Sequence, residues 1–394
     1  MKAQKTIFIF ISEEGFGHVV RVCSILNELS NHLSKKIDLH IFTGAHIDLL
    51  EQRLKIPVKI HILNSGLLLR KNANCSLDEE STLYNLLDWY KQLAVWENNI
   101  IRTYDKCDLI ISDSVPQAGS LSKHFKCQAI NISHFTWDWM YNEINKDFKY
   151  KYREIKGVQD VINRMIKLYD DYDSFIFPPL TPKGNIELLK SRSRIYDECY
   201  FILSDSFINS FYSDSSLTVV NPILPKLLLM NNGTASLTES INKIICNWSD
   251  KYNINLIISP VNLEQKALKV IINSNTIYQL QSISDAHSAL SQSNYFLARC
   301  GYNTFTESIF TRAIPILVSE ESNPEIESNL DYASNKGINI IKPKDITTEK
   351  IITLISNISS KKLNYNVSEQ SNSKLLVKGR IQCAEIIKSY LIDN

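Results

Sequence analysis

The chain has 394 residues, too many for one core of ordinary size and suited to two domains. Its 43 Lys and Arg stand against 42 Asp and Glu, and a net charge of +1 excludes an overall basic nucleic-acid surface. A hydrophobic share of 44% with 22% charged residues is that of a soluble globular chain, and no run approaches the ~20 apolar residues needed to cross a bilayer.

The first half alternates strand-like and helix-like patterns. Thr6–Ile11 is a continuous apolar run, as expected of a strand buried on both faces. It leads into a turn with two glycines, Gly15-Phe16-Gly17-His18, and Val19–Leu33 then carries apolar residues at helical spacing. Asp38–Thr43, Val58–Leu63, Asp108–Ser112 and Gln128–Ile132 read as further strands, with helices expected over 81–104 and 116–125. This alternation predicts a parallel sheet with crossover helices. From about 135 to 200 aromatics and prolines dominate and periodicity weakens, so the stretch reads as a rim or inserted region, with a linker near 178–222.

A second alternating set begins after "NPILPK". "KLLLM" reads as a strand, "NNGTAS" (231–236) as a polar turn and Leu237–Trp248 as a helix; "NLIIS", "NTIYQL", "NYFLAR" and "IPILVS" follow as strands. The expected class is therefore α/β, two doubly wound domains facing across a cleft, with ligands at the carboxyl ends of the strands. The expected division is 1–200, 201–375, and a C-terminal helix over 376–394 returning to the first domain. Eight cysteines stand singly, with no CxxC pair or Cys/His cluster; this argues against structural zinc and for the reduced thiols of a cytoplasmic protein. The N-terminal apolar run is too short for a signal-peptide core.

Several stretches carry chemistry. "GFGHVVR" (15–21) lacks the third glycine of a dinucleotide fingerprint, which leaves a catalytic loop or a tight strand-to-helix connection. In "RCGYNTFTE" (299–307) Gly301 permits a turn that aims free N–H groups of the next helix outward, a site suited to phosphate. The same stretch reads equally as a capping box, Thr304-x-x-Glu307. "KDFKYKYREIK" (146–156) mixes cations with aromatics, so a peripheral membrane or polyanion contact stands against a solvated helical face. "DDYD" (170–173) has the residues of a metal-binding DxD but falls in a helical run.

With the acidic loop and helix that follow, Gly301, Thr304, Glu307, Pro315, Glu325 and Asn329 resemble the C-terminal half of GT-B glycosyltransferases, the superfamily of peptidoglycan N-acetylglucosaminyltransferases and plant-type UDP-glycosyltransferases. "GFGHVVR" and "CDLIISD" resemble that superfamily's first loop and a later strand ending in aspartate. The aromatic block "SHFTWDWMY" (133–141) also resembles the glycosyltransferase-like N-terminal portion of plant arabinose kinases. The resemblance implies GT-B, two Rossmann-like domains, and transfer of a sugar from a nucleotide sugar such as a UDP-sugar to an acceptor hydroxyl. It implies His18 as general base with Asp113 as its partner, imidazole being suited to take a hydroxyl proton near neutral pH. Donor contacts are implied at Gly17, Gly233, Thr234, Arg299, Gly301, Asn303, Thr304, Glu307 and Glu325, with no cofactor and no essential metal. Ile326 departs from the pattern, standing where a sugar-binding glutamine is expected. His134, Trp137, Asp138 and Trp139 are the acceptor-side candidates, the tryptophans either stacking on an acceptor or packed. Retaining members share two glutamates with seven residues between them; Arg299 stands where the first would be, so inversion is expected. An epimerase or hydrolase on the same fold, or a silent nucleotide-sugar binder, remain the rivals.

Overall fold

The computed structural model describes residues 5–31, 37–44, 46–72, 76–191, 196–211, 223–230, 235–259, 263–281, 283–360 and 373–392. It divides into two compact units: Met1–Arg70 with Leu77–Ser204 and Lys374–Asn394, and Lys71–Ser76 with Asp205–Ser373.

The first unit is built on a parallel sheet of β1 (Lys5–Ile11), β2 (Ile37–Thr43), β3 (Lys59–Ile62), β4 (Leu109–Asp113), β5 (Gln128–Ile132), β6 (Ser174–Phe177) and β7 (Tyr196–Glu198), in the order β3-β2-β1-β4-β5-β6-β7. β1 shows why its sequence is unbrokenly apolar. Phe8 and Phe10 face one layer, with Trp89, Trp96, Met140 and Met165 from the helices Glu79–Thr103, Trp137–Lys151 and Val158–Tyr169. Ile7, Ile9 and Ile11 face the other, with Val22 and Leu26 of the helix Phe16–Leu29 and Cys383, Ala384 and Ile387 of the helix Ser373–Ile392. A strand covered on both sides has no polar face to alternate with. The chain order reverses between β1 and β4, which sends their following loops apart and opens a crevice at the strand ends.

The second unit repeats the plan with β8 (Lys226–Leu229), β9 (Asn255–Ile258), β10 (Ile277–Gln279), β11 (Tyr295–Arg299), β12 (Ile314–Val318) and β13 (Asn339–Ile341), ordered β10-β9-β8-β11-β12-β13 and parallel throughout. Leu227, Leu229, Leu256, Leu297 and Ile316 pack with Ile241 and Ile244 of the helix Ala235–Cys246 and with Ile351 and Ile355 of Thr348–Ser360. Its switch point lies between β8 and β11.

The aromatic middle is not a rim. Residues 137–198 hold three helices and the strands β6 and β7, which complete the first sheet. Their aromatics, such as Tyr169, Tyr172 and Phe175, are buried core, and a large ring fills the space of several aliphatics, which hides the helical period. Of the expected linker 178–222, Lys183–Ser191 and Asp205–Ser210 are helix and Tyr196–Glu198 is strand, while 192–195 and 212–222 lie outside the described residues, as do 32–33 of the first predicted helix and 393–394 of the last. "DDYD" follows the helix Val158–Tyr169 rather than continuing it; Asp171 pairs with Lys123, and Asp173 accepts the Ala129 N–H at 2.7 Å.

Candidate active site

In the first unit the switch point holds a buried polar cluster. β1 ends at Ile11, Gly15 turns the chain with φ 75°, and the helix Phe16–Leu29 starts at once with Gly15 as its N-cap. A positive φ of that size suits glycine, so the turn explains Gly15. His18 and Arg21, three residues apart on this helix, share the face turned to the end of β4. His18 Nδ1 lies 2.6 Å from Asp113 Oδ1. Arg21 donates from Nε to Oδ2 at 2.7 Å and from Nη2 to Oδ1 at 2.6 Å, a two-point grip on one carboxylate. Arg21 Nη1 reaches His134 Nδ1 at 3.2 Å, and the Ser114 hydroxyl donates to Asp113 Oδ1 at 3.3 Å.

His18, Arg21, Asp113 and His134 are each at least 95% buried. Burial by itself would raise the Asp113 carboxyl, but the charges of Arg21 and His18 and their hydrogen bonds outweigh it and hold it down to about 2. An ionised carboxylate only accepts, so Nδ1 of His18 donates to it, and Nε2 is the ring nitrogen left for proton transfer. A general base paired in this way works through Nε2.

Backbone geometry supports the cluster. Ser114 holds a left-handed conformation, φ 57°, unusual for a residue with a side chain. Trp137 Nε1 donates to its carbonyl at 2.8 Å, and the Tyr172 hydroxyl donates to the next one, Val115, at 2.6 Å. Trp137 is thus a brace for the loop after β4. It is fully buried and Trp139 is 7% exposed, so neither ring offers a face for stacking, and the packed reading describes both. Asp138 is buried beside them. Glu13 and Glu14 tie the first loop to the segment after β3: Glu13 accepts the Ser65 N–H and Glu14 the Leu69 N–H. Gly17 lies in the first turn of the helix.

The sequence reading gave Arg21 no role. Its signal was the arginine of "GHVVR", one helical turn past His18.

In the second unit β11 ends at Arg299, and the helix Tyr302–Ile309 follows with Gly301 as its N-cap. Thr304 therefore sits inside the first turn, which rules out the capping box. The helix Pro324–Asn335 braces this turn: Glu325 accepts the Tyr302 N–H at 3.2 Å, and Asn329 donates to the Cys300 carbonyl at 3.0 Å. Glu325 therefore occupies one of the free donors at this helix end. Ile326 is wholly buried, so the position expected to carry glutamine serves the core. Glu320 accepts from Arg299 Nε, is itself held by Asn323 Nδ2 at 3.1 Å, and keeps the guanidinium beside Gly301. Asn303 and Thr304 are half-buried. Glu307 is buried, with Oε2 3.4 Å from Nε2 of His287, a second residue the sequence reading missed. Gly233 and Thr234 lie outside the described residues.

Among the described residues, no helix is long and apolar enough to cross a membrane. In the 146–156 stretch Lys149 pairs with Glu154 and Lys151 with Glu79 and Asp147, and Tyr150 and Tyr152 are exposed.

No family model matches the chain. It is 24% identical over 155 residues to the L-arabinokinase of Arabidopsis thaliana, a match that spans 37% of this chain and only 14% of that protein's length. A calicheamicin glycosyltransferase superposes with a TM-score of 0.66 at 14% identity, covering 99% of each chain. A UDP-glucose:anthocyanidin 3-O-glucosyltransferase in complex with UDP gives 0.63 at 12% identity over 100% of both chains. A UDP-glucosyltransferase of Polygonum tinctorium that glucosylates indoxyl gives 0.64 at 11% identity over 99% of both. Likeness at such identities is likeness of fold, and by it this chain has the GT-B fold, two Rossmann-like units in one polypeptide.

Proposed function

We propose that the chain is an inverting glycosyltransferase that moves a sugar from a UDP-sugar to an acceptor hydroxyl, without an essential metal and in the cytoplasm. The observation that carries this reading is the buried His18–Asp113 pair at 2.6 Å, at the switch point of a sheet shared in fold with UDP-sugar transferases. In it, Nε2 of His18 takes the acceptor's hydroxyl proton while the acceptor oxygen bonds to the anomeric carbon and the bond to the diphosphate breaks. Asp113 stays ionised and steadies the imidazolium that forms. In this reading the second unit binds the nucleotide: Arg299, held beside Gly301, and the N-terminus of the helix Tyr302–Ile309 take the diphosphate, and Glu307 the ribose hydroxyls. Cytoplasmic residence is supported by free thiols at seven cysteines among the described residues.

The experiment is incubation of the chain with UDP-glucose, UDP-galactose or UDP-N-acetylglucosamine, with and without a panel of phenols and sugars, followed by chromatography of nucleotide and product. Acceptor-dependent UDP release with a new glycoside is expected. Interconversion or hydrolysis of the donor without any acceptor would identify an epimerase or hydrolase instead. Binding of UDP without turnover across the panel would identify a silent binder.

A further inference from the structure

The transferase reading assigns His18 and Asp113, but the densest set of hydrogen bonds in the cluster belongs to Arg21. We propose that Arg21 is a positioning residue for the base: its two-point grip fixes the Asp113 carboxylate against His18 Nδ1 and thereby keeps His18 Nε2 unprotonated and ready to accept. This deepens the transferase reading and rests on it for its catalytic meaning.

Three observations support it. Arg21 is 2% exposed and Asp113 fully buried, so the pair is a desolvated fork rather than a surface contact. Both carboxylate oxygens are taken by Arg21, Oδ2 by Nε and Oδ1 by Nη2, which itself lies 3.1 Å from His18 Nδ1, so guanidinium and imidazole converge on Oδ1 and the carboxylate plane is set. The remaining arm of the guanidinium, Nη1, only donates, so His134 Nδ1 accepts from it and that imidazole joins the cluster uncharged at this nitrogen. Two further titratable groups feel the cluster's charges, His46 from the turn after β2 and Cys383 from the C-terminal helix. Burial and the nearby His18 lower His46, while the Cys199 thiol and burial raise Cys383, so neither supplies a competing charge near neutral pH.

The need for Arg21 follows from what a buried carboxylate does without a cation. Either Asp113 takes up a proton and donates it to Nδ1, which moves the His18 proton to Nε2, or it stays charged and draws a second proton onto His18. Both routes fill Nε2 and remove the base. A guanidinium cannot lose its proton at any working pH and carries the matching fork, so it closes both routes.

The test uses the full chain, free of substrate, with nitrogen-15 histidine and NMR at pH 7.5, the His18 signals being identified by their loss in His18→Gln. In the wild type Nδ1 is expected to be protonated and Nε2 not. In Arg21→Met, Nε2 is expected to carry a proton in most molecules, and kcat of transfer to fall ~10²-fold with KM within about twofold. Arg21→Lys keeps the charge but loses the fork, and kcat is expected to fall about tenfold, recovering part of the Met variant's loss. An unprotonated Nε2 in folded Arg21→Met overturns the proposal. If Arg21→Met does not fold, Arg21→Lys decides: a protonated Nε2 population with lowered kcat supports it, and wild-type nitrogens with wild-type kcat overturn it. Absence of transfer by the wild type would sink the transferase reading alone, since the nitrogen pattern is read without substrate.

Discussion

At the scale of single residues, each polar group inside the protein is there for a partner or for a reaction. His18→Ala is expected to cut transfer by ~10²-fold or more with little change in donor affinity, the scale of a positioned base. Near-normal turnover in that variant would make His18 structural. Asp113 adds a pH signature. Its folded value of about 2 lies below the ordinary aspartate value, so its ionised form stabilises the fold above about pH 4, and that contribution is lost as pH falls from 4 through 2. The loss is on the order of 2 kcal/mol. Urea unfolding of wild type and Asp113→Asn should therefore show a stability gap that narrows by about that much between pH 5 and pH 2. A gap independent of pH would mean that Asp113 is not held ionised. Glu307 lends itself to a cleaner separation of roles. Glu307→Gln keeps the shape beside His287 and removes the charge, so UDP affinity should fall about tenfold or more, measured by calorimetry, with a melting temperature close to wild type. His18 and Asp113 were legible in the sequence because loop and strand end both leave local signatures. Arg21 and His287 were not, because what defines them is a partner 92 residues away for one and 20 for the other.

At the scale of elements, legibility followed burial. Strands covered on both faces print as apolar runs, and β1, β5 and β11 lie within a residue or two of where composition put them. The helices over 137–151 and 158–169 were legible only in fragments, a helical face at 146–156 and a helical run near 170, since their buried positions carry Trp, Tyr and Met among lysines and tyrosines that face outward. The C-terminal helix Ser373–Ile392 shows what a single small residue does for an element. A Cβ on Gly379 would collide with the carbonyl oxygens of Tyr200 and Phe201, so the helix lies directly on that backbone, and Gln382 Oε1 accepts the Tyr200 N–H at 2.7 Å. Gly379→Ala brings ~1 kcal/mol of helix propensity, yet overpacking costs ~1–3 kcal/mol at such a contact. The net effect should be a lower melting temperature and faster proteolysis near the C-terminus. A melting temperature at or above wild type would show that the helix docks elsewhere.

At the scale of the whole molecule, the same wound plan occurs twice, and the two switch points carry different chemistry. One holds a buried imidazole–carboxylate–guanidinium cluster, the other a glycine turn with an arginine clasped by Glu320. This division bears on metal and stereochemistry together. If Arg299 and the helix end meet the charge of the leaving diphosphate, transfer should continue in EDTA; complete loss restored by magnesium would refute that assignment. Stereochemistry then follows from which groups are available to the anomeric carbon. If Glu307 is the second of the paired glutamates that the resemblance attaches to retaining members, the first would stand eight positions before it, and that position is Arg299, whose Nε is already committed to Glu320. A guanidinium carries no lone pair to lend to a cationic sugar. In the proposed reaction His18, by contrast, is the base that a single displacement requires for the incoming hydroxyl, with Asp113 to steady the imidazolium. One displacement inverts the centre, so an α-linked UDP-sugar should give a β-glycoside. The anomeric proton coupling in the first-formed product reads this directly. An α-linked product would sink both the inverting mechanism and the role given to His18.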